Sequence, residues 1–434
     1  MTAVAWFRRD LRVADNPILA LGGERAVPLF VIDPRLFRPG ERRTDELVRR
    51  LHGFDAVLAE RGGRLRVESG PPEDVVPAVA AEVGAERVVA NLDVSPYARR
   101  RDEAVADRVS LDGRWGTLVH PPTALRTQSG TPYRVFTPFG RSWFDVGLPE
   151  PVDVDADLTG DVGEGLPERT GDPVSEHEAW GRAGAWLAGP IEAYPETRDR
   201  PDLDATSHLS IDLKYGSIGP AALARATGTD SGGRHAFVRQ LAWRDFWAQL
   251  LWHHPETVTE PLNERFADFP WRDDPDGLAA WQDGRTGVPI VDAGMRQLAE
   301  TGWMHNRLRM VVGSFLVKHL LIHWKEGERH FRRLLLDGDV PQNVGNWQWV
   351  AGTGADAAPY FRIFNPVRQG ERFDPDGAYV RRWVPELADV PAEHVHAPWE
   401  LGPLERSAID YPEPIVGIDE GRDRALAAYE TVKG

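Results

Sequence analysis

Thr2-Ala3-Val4-Ala5-Trp6-Phe7-Arg8-Arg9-Asp10 is the stretch that decides the fold. Within it Val4–Phe7 is a short apolar run that stops at three charged residues, the signature of a buried strand rather than a helix. Four further runs of the same kind follow at Ala26–Ile32, Leu65–Val67, Arg87–Ala90 and Thr117–Val119. Between them Asp45–Ala59 and Glu73–Val83 place apolar residues three to four apart and carry many charges, as helices with one buried stripe do. Strands alternating with helices predict a parallel, doubly wound sheet, because each crossover between parallel strands needs a helix and both faces become covered. Asp15-Asn16-Pro17 predicts the start of the first helix, a side-chain cap followed by proline. Ligands of such sheets bind beyond the carboxyl ends of the strands, where Arg8-Arg9-Asp10 and Asn91-Leu92-Asp93 fall. No GxGxxG or GxxxxGK(S/T) follows any strand, so neither a dinucleotide fingerprint nor a P-loop is present.

The composition changes after Glu150. From Glu150 to Glu178 there are ten acids against one arginine, which predicts a solvated linker of net charge −9. Beyond it the apolar period becomes helical, at Ala179–Leu187, Pro220–Ala226, Gly233–His253, Val291–Gly302, His305–Trp324 and Glu326–Leu336. Val291, Met295 and Leu298 share a face, and Gly302 stands at the C-terminal stop. The expected organisation is an α/β domain over residues 1–130, an interdomain linker over 131–190 and an all-α domain over 191–434.

Charge and composition narrow the function. The chain of 434 residues has 51 basic and 67 acidic residues, a net charge of −16 that by itself argues against a nucleic-acid partner. The charge is unevenly spread: Arg296–Arg382 has 13 basic and 9 acidic residues, so it is +4 while the remainder is −20. A basic island in an acidic chain is the footprint of a phosphate-binding face. Only four of the basic residues are lysines, and many acids with so little lysine suit a halophile's solvent. The absence of cysteine excludes disulfides, thiolate nucleophiles and Cys-ligated metals, no run approaches the ~20 apolar residues of a membrane helix, and Met1–Val4 carries no basic leader. The expectation is a cytoplasmic protein that contacts no membrane.

Three segments could bear chemistry. In Gly302–Met310, Asn306 and Arg309 are three apart and can meet one polar ligand together. Leu336-Asp337-Gly338-Asp339-Val340, followed by Asn343 and Trp347-Gln348-Trp349, is read as a Gly-containing loop that offers two acids and an amide to a polar ring edge. Thr206-Ser207-His208-Leu209-Ser210 puts hydroxyls and N–H groups ahead of a helical stretch, either as a phosphate cradle or as a plain cap. His319 and His323, four apart, could chelate a metal, but with no third ligand they read as surface histidines.

These motifs, together with Ala5-Trp6-Phe7-Arg8-Arg9-Asp10-Leu11-Arg12 and Tyr360-Phe361-Arg362-Ile363-Phe364-Asn365-Pro366, resemble the photolyase/cryptochrome family over essentially the whole chain. The resemblance is greatest to its class I enzymes for cyclobutane pyrimidine dimers. It implies an α/β antenna domain followed by an all-α domain that binds FAD in a folded-back form. Tyr194, Thr206, Ser207, Leu209 and Ser210 match the phosphate-binding segment, Asn306 and Arg309 the residues beside the flavin, and Asp337 the partner of Arg309. Asp339 matches the acid on the adenine and ribose side, and Asn343 the residue facing flavin N5, where an amide suits a stable reduced flavin. Trp347, Trp324 and Trp271 match the chain of tryptophans that carries electrons between flavin and surface. Trp243 and Trp349 match the walls that receive a flipped dimer, Met310 an apolar contact to it, and Arg198, Arg307 and Arg362 the anchors of backbone phosphates. Asn91–Tyr97 resembles the deazaflavin-antenna subgroup, while Ala98 stands where a folate antenna would need Glu.

One position departs from the pattern. The repair enzymes carry Glu-Leu-x-Trp-Arg, and here the motif is Gln240-Leu241-Ala242-Trp243-Arg244. Glutamine keeps a donor and an acceptor but loses a charge and a proton source, so binding should survive with slower splitting. Enzymes of (6-4) photoproducts carry Gln there but also a histidine pair, where this chain has a single His305 before Asn306 and Arg307. The resemblance therefore implies light-driven repair of cyclobutane dimers in UV-damaged DNA by a monomer, with electrons from reduced FAD. The alternative is a cryptochrome-like photoreceptor using the same flavin and tryptophans.

Overall fold

The computed structural model describes residues 1–356 and 362–432, so Tyr360 and Phe361 of the last motif lie outside the described residues. The chain divides into two compact units, Met1–Ala193 with Ser207–Pro255, and Tyr194–Thr206 with Glu256–Gly434. The division thus falls elsewhere than at residues 130 and 190, and the expected helical domain contributes to both units.

The first unit is built on a parallel sheet of β1 (Thr2–Phe7), β2 (Arg25–Ile32), β3 (Arg66–Ser69), β4 (Arg87–Asn91) and β5 (Leu111–Arg114), in the order β3-β2-β1-β4-β5. β1 lies between β2 and β4, with Thr2 opposite Arg25 and Ala3 opposite Arg87. Strand alternation sends Ala3, Ala5 and Phe7 to one face, where they pack with Leu51, Phe54 and Leu58 of α1 (Arg42–Ala59). Val4 and Trp6 take the other face with Val76, Val79 and Ala80 of α2 (Pro72–Glu82). The sheet is doubly wound, as the sequence predicts.

The fifth strand is displaced from its expected position. Thr117–Val119 is buried, but the N–H groups of Val119 and His120 are taken by the Asp245 carboxylate at 3.3 and 2.9 Å, so no ladder forms there. The edge strand is instead Leu111-Asp112-Gly113-Arg114, whose polarity suits an edge and hid it from an apolar search.

Asn16 caps a short 3₁₀ turn, Pro17–Leu19, instead of a full helix. The acidic linker is also more ordered than a solvated tether. β6 (Asp157–Leu158) pairs with β2, and Glu164 donates its N–H to Val67 of β3 at 2.9 Å, so the segment covers the sheet edge. Its last residues form a capping box on the helix Glu176–Leu187, in which Glu178 accepts the Ser175 N–H at 2.7 Å.

At the strand ends the charged residues satisfy one another. Arg8 pairs with Asp102 at 2.5 Å and Arg9 with Asp93 at 3.0 Å, while the Asn91 amide donates to Asp10 at 2.7 Å and to Asn16 at 2.8 Å. Tyr97 donates its hydroxyl to Asp33. The side chains of the expected antenna motif act here as braces between β1, β4 and α3 (Pro96–Ala106).

The second unit is helical around one apolar core. The expected helix His305–Trp324 is interrupted: Asn306–Ser314 runs into a π turn at Phe315–His319, and Leu321 turns left-handed at φ 57°. The cause is tertiary. Arg272 donates its N–H to Leu321 O at 2.8 Å and forms a parallel bridge with Ile322, which pulls the chain off the helix axis and restarts it at Trp324–Leu334. His319 is 1% exposed, so it is a core histidine and not the surface residue expected. Among the described residues no cluster of three metal-ligating side chains exists, and no helix is long and apolar enough to cross a membrane.

Candidate functional site

A cleft of about 580 Å³, partly open to solvent, is lined in the second unit by Asn306, Arg309, Asp337, Asp339 and Asn343, with Met310 and Trp347. Helix periodicity builds it. His305 Nδ1 caps the Asn306–Ser314 helix by accepting from Arg307 N–H at 3.2 Å, which places Asn306 and Arg309 on one face of the first turn. Asp339, Asn343 and Trp347 are spaced by four along the Val340–Ala351 helix and its N-terminal boundary, so one face carries an acid, an amide and an indole in a row.

The polar members are fixed by named partners. Arg309 donates Nη2 to Asp337 Oδ2 at 2.8 Å and Nε to Met304 O at 2.8 Å. The other carboxylate oxygen of Asp337 is buried without a hydrogen-bond partner among the described residues, an acceptor awaiting a donor. Asn343 donates Nδ2 to Glu328 Oε1 at 2.8 Å and to Glu328 O at 3.0 Å, which leaves Oδ1 as the atom it can offer a ligand. Glu328 is 3% exposed and is itself held by Arg332 four residues on, with Nε at 2.9 Å.

Trp347 and Trp324 lie in the helical core and Trp271 packs against it. Trp347 lies against the backbone of the Trp324–Leu334 helix: a Cβ on Gly327 would stand 2.1 Å from its ring. Phe331 and Trp281 meet it edge-on, with ring centroids at 5.0 and 6.1 Å. Trp324, three residues before Gly327, is fully buried, and Trp271 is half-buried.

The other expected residues distribute between the units. In the second unit Arg198 lies over the Tyr194 ring at 5.3 Å, and the Thr206 hydroxyl is buried without a hydrogen-bond partner among the described residues. Arg307 is paired with Asp199 at 2.6 Å and lies over Phe373 at 4.3 Å. Arg362 is exposed and Trp349 half-buried. In the first unit Ser207 Oγ accepts from Leu209 N–H at 3.4 Å, and Ser210, exposed, begins a short helix. Trp243 is stacked on Phe136 with centroids 3.7 Å apart and planes 5° from parallel, and Gln240 donates Nε2 to Ala236 O at 3.0 Å on its own helix.

The sequence reading missed Gly327, Glu328 and Phe136. A glycine inside a helix-favouring run, followed by an i,i+4 acid–arginine pair, was a signal for the first two. The stack under Trp243 joins residues over a hundred apart in the chain and had no local signal.

Comparison with known proteins bears on this arrangement. A family model described as the FAD binding domain of DNA photolyase matches residues 237–431, and one described as DNA photolyase matches residues 3–155. The deoxyribodipyrimidine photo-lyase of Streptomyces griseus is 42% identical across 100% of this chain and 99% of its own. That of Agrobacterium fabrum is 40% identical across 99% and 98%. Among solved structures, a bacterial class III photolyase from Agrobacterium tumefaciens superposes with a TM-score of 0.91 at 39% identity, covering 100% of this chain and 98% of that one. A Synechocystis cryptochrome superposes at 0.87 and 27% identity, covering 98% and 99%.

Proposed function

Because the chain belongs to the DNA photolyase family, an enzyme family with a FAD-binding domain, we propose that it repairs cyclobutane pyrimidine dimers in UV-damaged DNA by light-driven electron transfer. The observation that carries the reading is the row Asp339, Asn343 and Trp347 facing Arg309 and Asp337 across one cleft.

The residues present fit FAD. The unpartnered Asp337 oxygen and Thr206 hydroxyl are buried groups that a polar cofactor would satisfy, and the cleft supplies both charge signs. When bound, FAD supplies absorption of blue light and reversible one-electron donation. Arg309, paired with Asp337, offers a cation to the cofactor's anionic edge. Asn343, locked by Glu328, presents Oδ1 as an acceptor, which favours a proton-bearing N5 over a bare one. Trp347, Trp324 and Trp271 replenish electrons from the surface, indole being among the more easily oxidised side chains. Trp243, rigidified by Phe136, and Trp349 each offer an aromatic face to an extruded base. Gln240 offers an amide to the dimer's carbonyl edge, with no charge to add. Arg198 and Arg362 meet backbone phosphates.

The test is illumination of the purified, reduced, FAD-loaded protein with dimer-containing DNA. Light-dependent loss of dimers is expected. No loss, with photoreduction of the flavin intact, would move the assignment to a photoreceptor.

A further inference from the structure

His323 lies beside two of the tryptophans. Its ring centroid is 5.2 Å from that of Trp271, with planes 55° apart, and 5.6 Å from that of Trp324, with planes 32° apart. The placement is imposed by several independent features. The Arg272–Ile322 bridge docks the residue after Trp271 beside the residue before His323, and the left-handed Leu321 turns the chain so that His323 caps the helix that Trp324 begins. His323 Nδ1 accepts the Lys325 N–H at 3.1 Å, so the neutral ring keeps its proton on Nε2.

We propose that His323 is the bridging ring through which an electron passes from Trp271 to oxidised Trp324, a proposal that rests on the tryptophan-relay reading above. In this step the Trp271 indole loses one electron and the Trp324 indole radical cation regains one. No bond forms or breaks, no proton moves, and the imidazole ends as it began. The oxidant that starts the relay is photoexcited oxidised flavin. An aromatic ring within about 5–6 Å, centroid to centroid, of both indoles couples them better than saturated side chains or a gap would. Neutrality matters too, because a cation beside them would raise the energy of a hole on either indole. Burial, then Lys325 and Arg329, lower the His323 pKa to about 4, so the bridge is uncharged near pH 7.

Two variants separate a bridging role from a capping one. His323→Asn keeps a helix cap and removes the ring, whereas His323→Phe keeps a ring and removes the cap. Flash absorption on the FAD-loaded protein follows the indole radical as it moves to the half-buried Trp271, and thermal melting of the apoprotein reports the cap. Asn should slow arrival of the radical at Trp271 about tenfold or more with little change in melting, and Phe should stay near the wild-type rate while melting earlier. An unchanged rate in Asn, or equal slowing in Asn and Phe, overturns the proposal. A Trp271→Phe control should abolish the long-lived radical. Its persistence would refute the relay itself, an outcome distinct from failure of the bridge.

Discussion

Asn343 is held by Glu328 through two hydrogen bonds from a single amide nitrogen, to the carboxylate at 2.8 Å and to the main-chain carbonyl at 3.0 Å. The acid therefore decides which end of the amide faces the cleft. Replacing Glu328 by Ala frees the amide to rotate and leaves Asn343 with only the carbonyl as acceptor. We expect a loss of about 1–3 kcal/mol in apoprotein stability for the weakened buried donor. FAD affinity should fall with it, measured by fluorescence titration. Unchanged affinity would mean that Asn343 is oriented by something else.

Gly327→Ala sets two known effects against each other. In an exposed helix the exchange stabilises by about 0.8–1 kcal/mol through propensity. Here the added Cβ would stand 2.1 Å from the Trp347 ring, and overpacking a filled core costs about 1–3 kcal/mol. Packing should win, so the variant is expected to unfold at lower urea and to photoreduce its flavin more slowly as Trp347 shifts. A stabilised variant with wild-type photoreduction would show that the ring does not need that seat.

Gln240 spends its amide donor on Ala236 O, one turn back on its helix. A glutamate there, when ionised, cannot make that bond and is pushed away from the carbonyl, outward from its own helix. Gln240→Glu should therefore raise the yield of dimer repair per absorbed photon more than it changes affinity for damaged DNA. The two are measured separately, by actinometry and by equilibrium binding. A change confined to affinity would assign the position to recognition alone.

Acid should destabilise the second unit as the pH falls from 6.5 toward 4. Burial lowers the pKa of His319 from 6.5 to about 4, and burial with Arg333 lowers that of His330 to about 4. The unfolded chain binds protons below pH 6.5 that the folded chain refuses. The contribution of neutral histidine is complete above that pH and is lost as pH falls toward 4. Each residue then accounts for about 3 kcal/mol over the window. Urea unfolding at pH 7.5, 6 and 5 should show the decline, and His319→Leu should flatten it. A pH-independent free energy across that window would contradict the burial of these rings as uncharged groups.

Much of the molecule was legible from one chain of letters, for a physical reason. Period-two and period-four patterns record which side of a local element faces the core, so β1 to β4 and the helices α1 and α2 could be read without neighbours, whereas the helix Val340–Ala351 that carries Asn343 and Trp347 was not among those predicted. The shared face of Asn306 and Arg309 was legible from the same periodicity. β5 could not be read that way, because an edge strand needs little apolarity and the buried run beyond it gives its N–H groups to Asp245.

The opening Thr2–Asp10 stretch determined a strand that both sheet faces would bury, and it said nothing of what would meet its charged end. There Arg8, Arg9 and Asp10 found Asp102, Asp93 and Asn91, which are distant in sequence and near only because the sheet order is β2-β1-β4. The break before Trp324, the glycine seat of Trp347, the lock of Glu328 on Asn343 and the ring of His323 beside Trp271 are likewise contacts between separate segments. Periodicity reports the environment of one segment. Only packing decides which other segment supplies it.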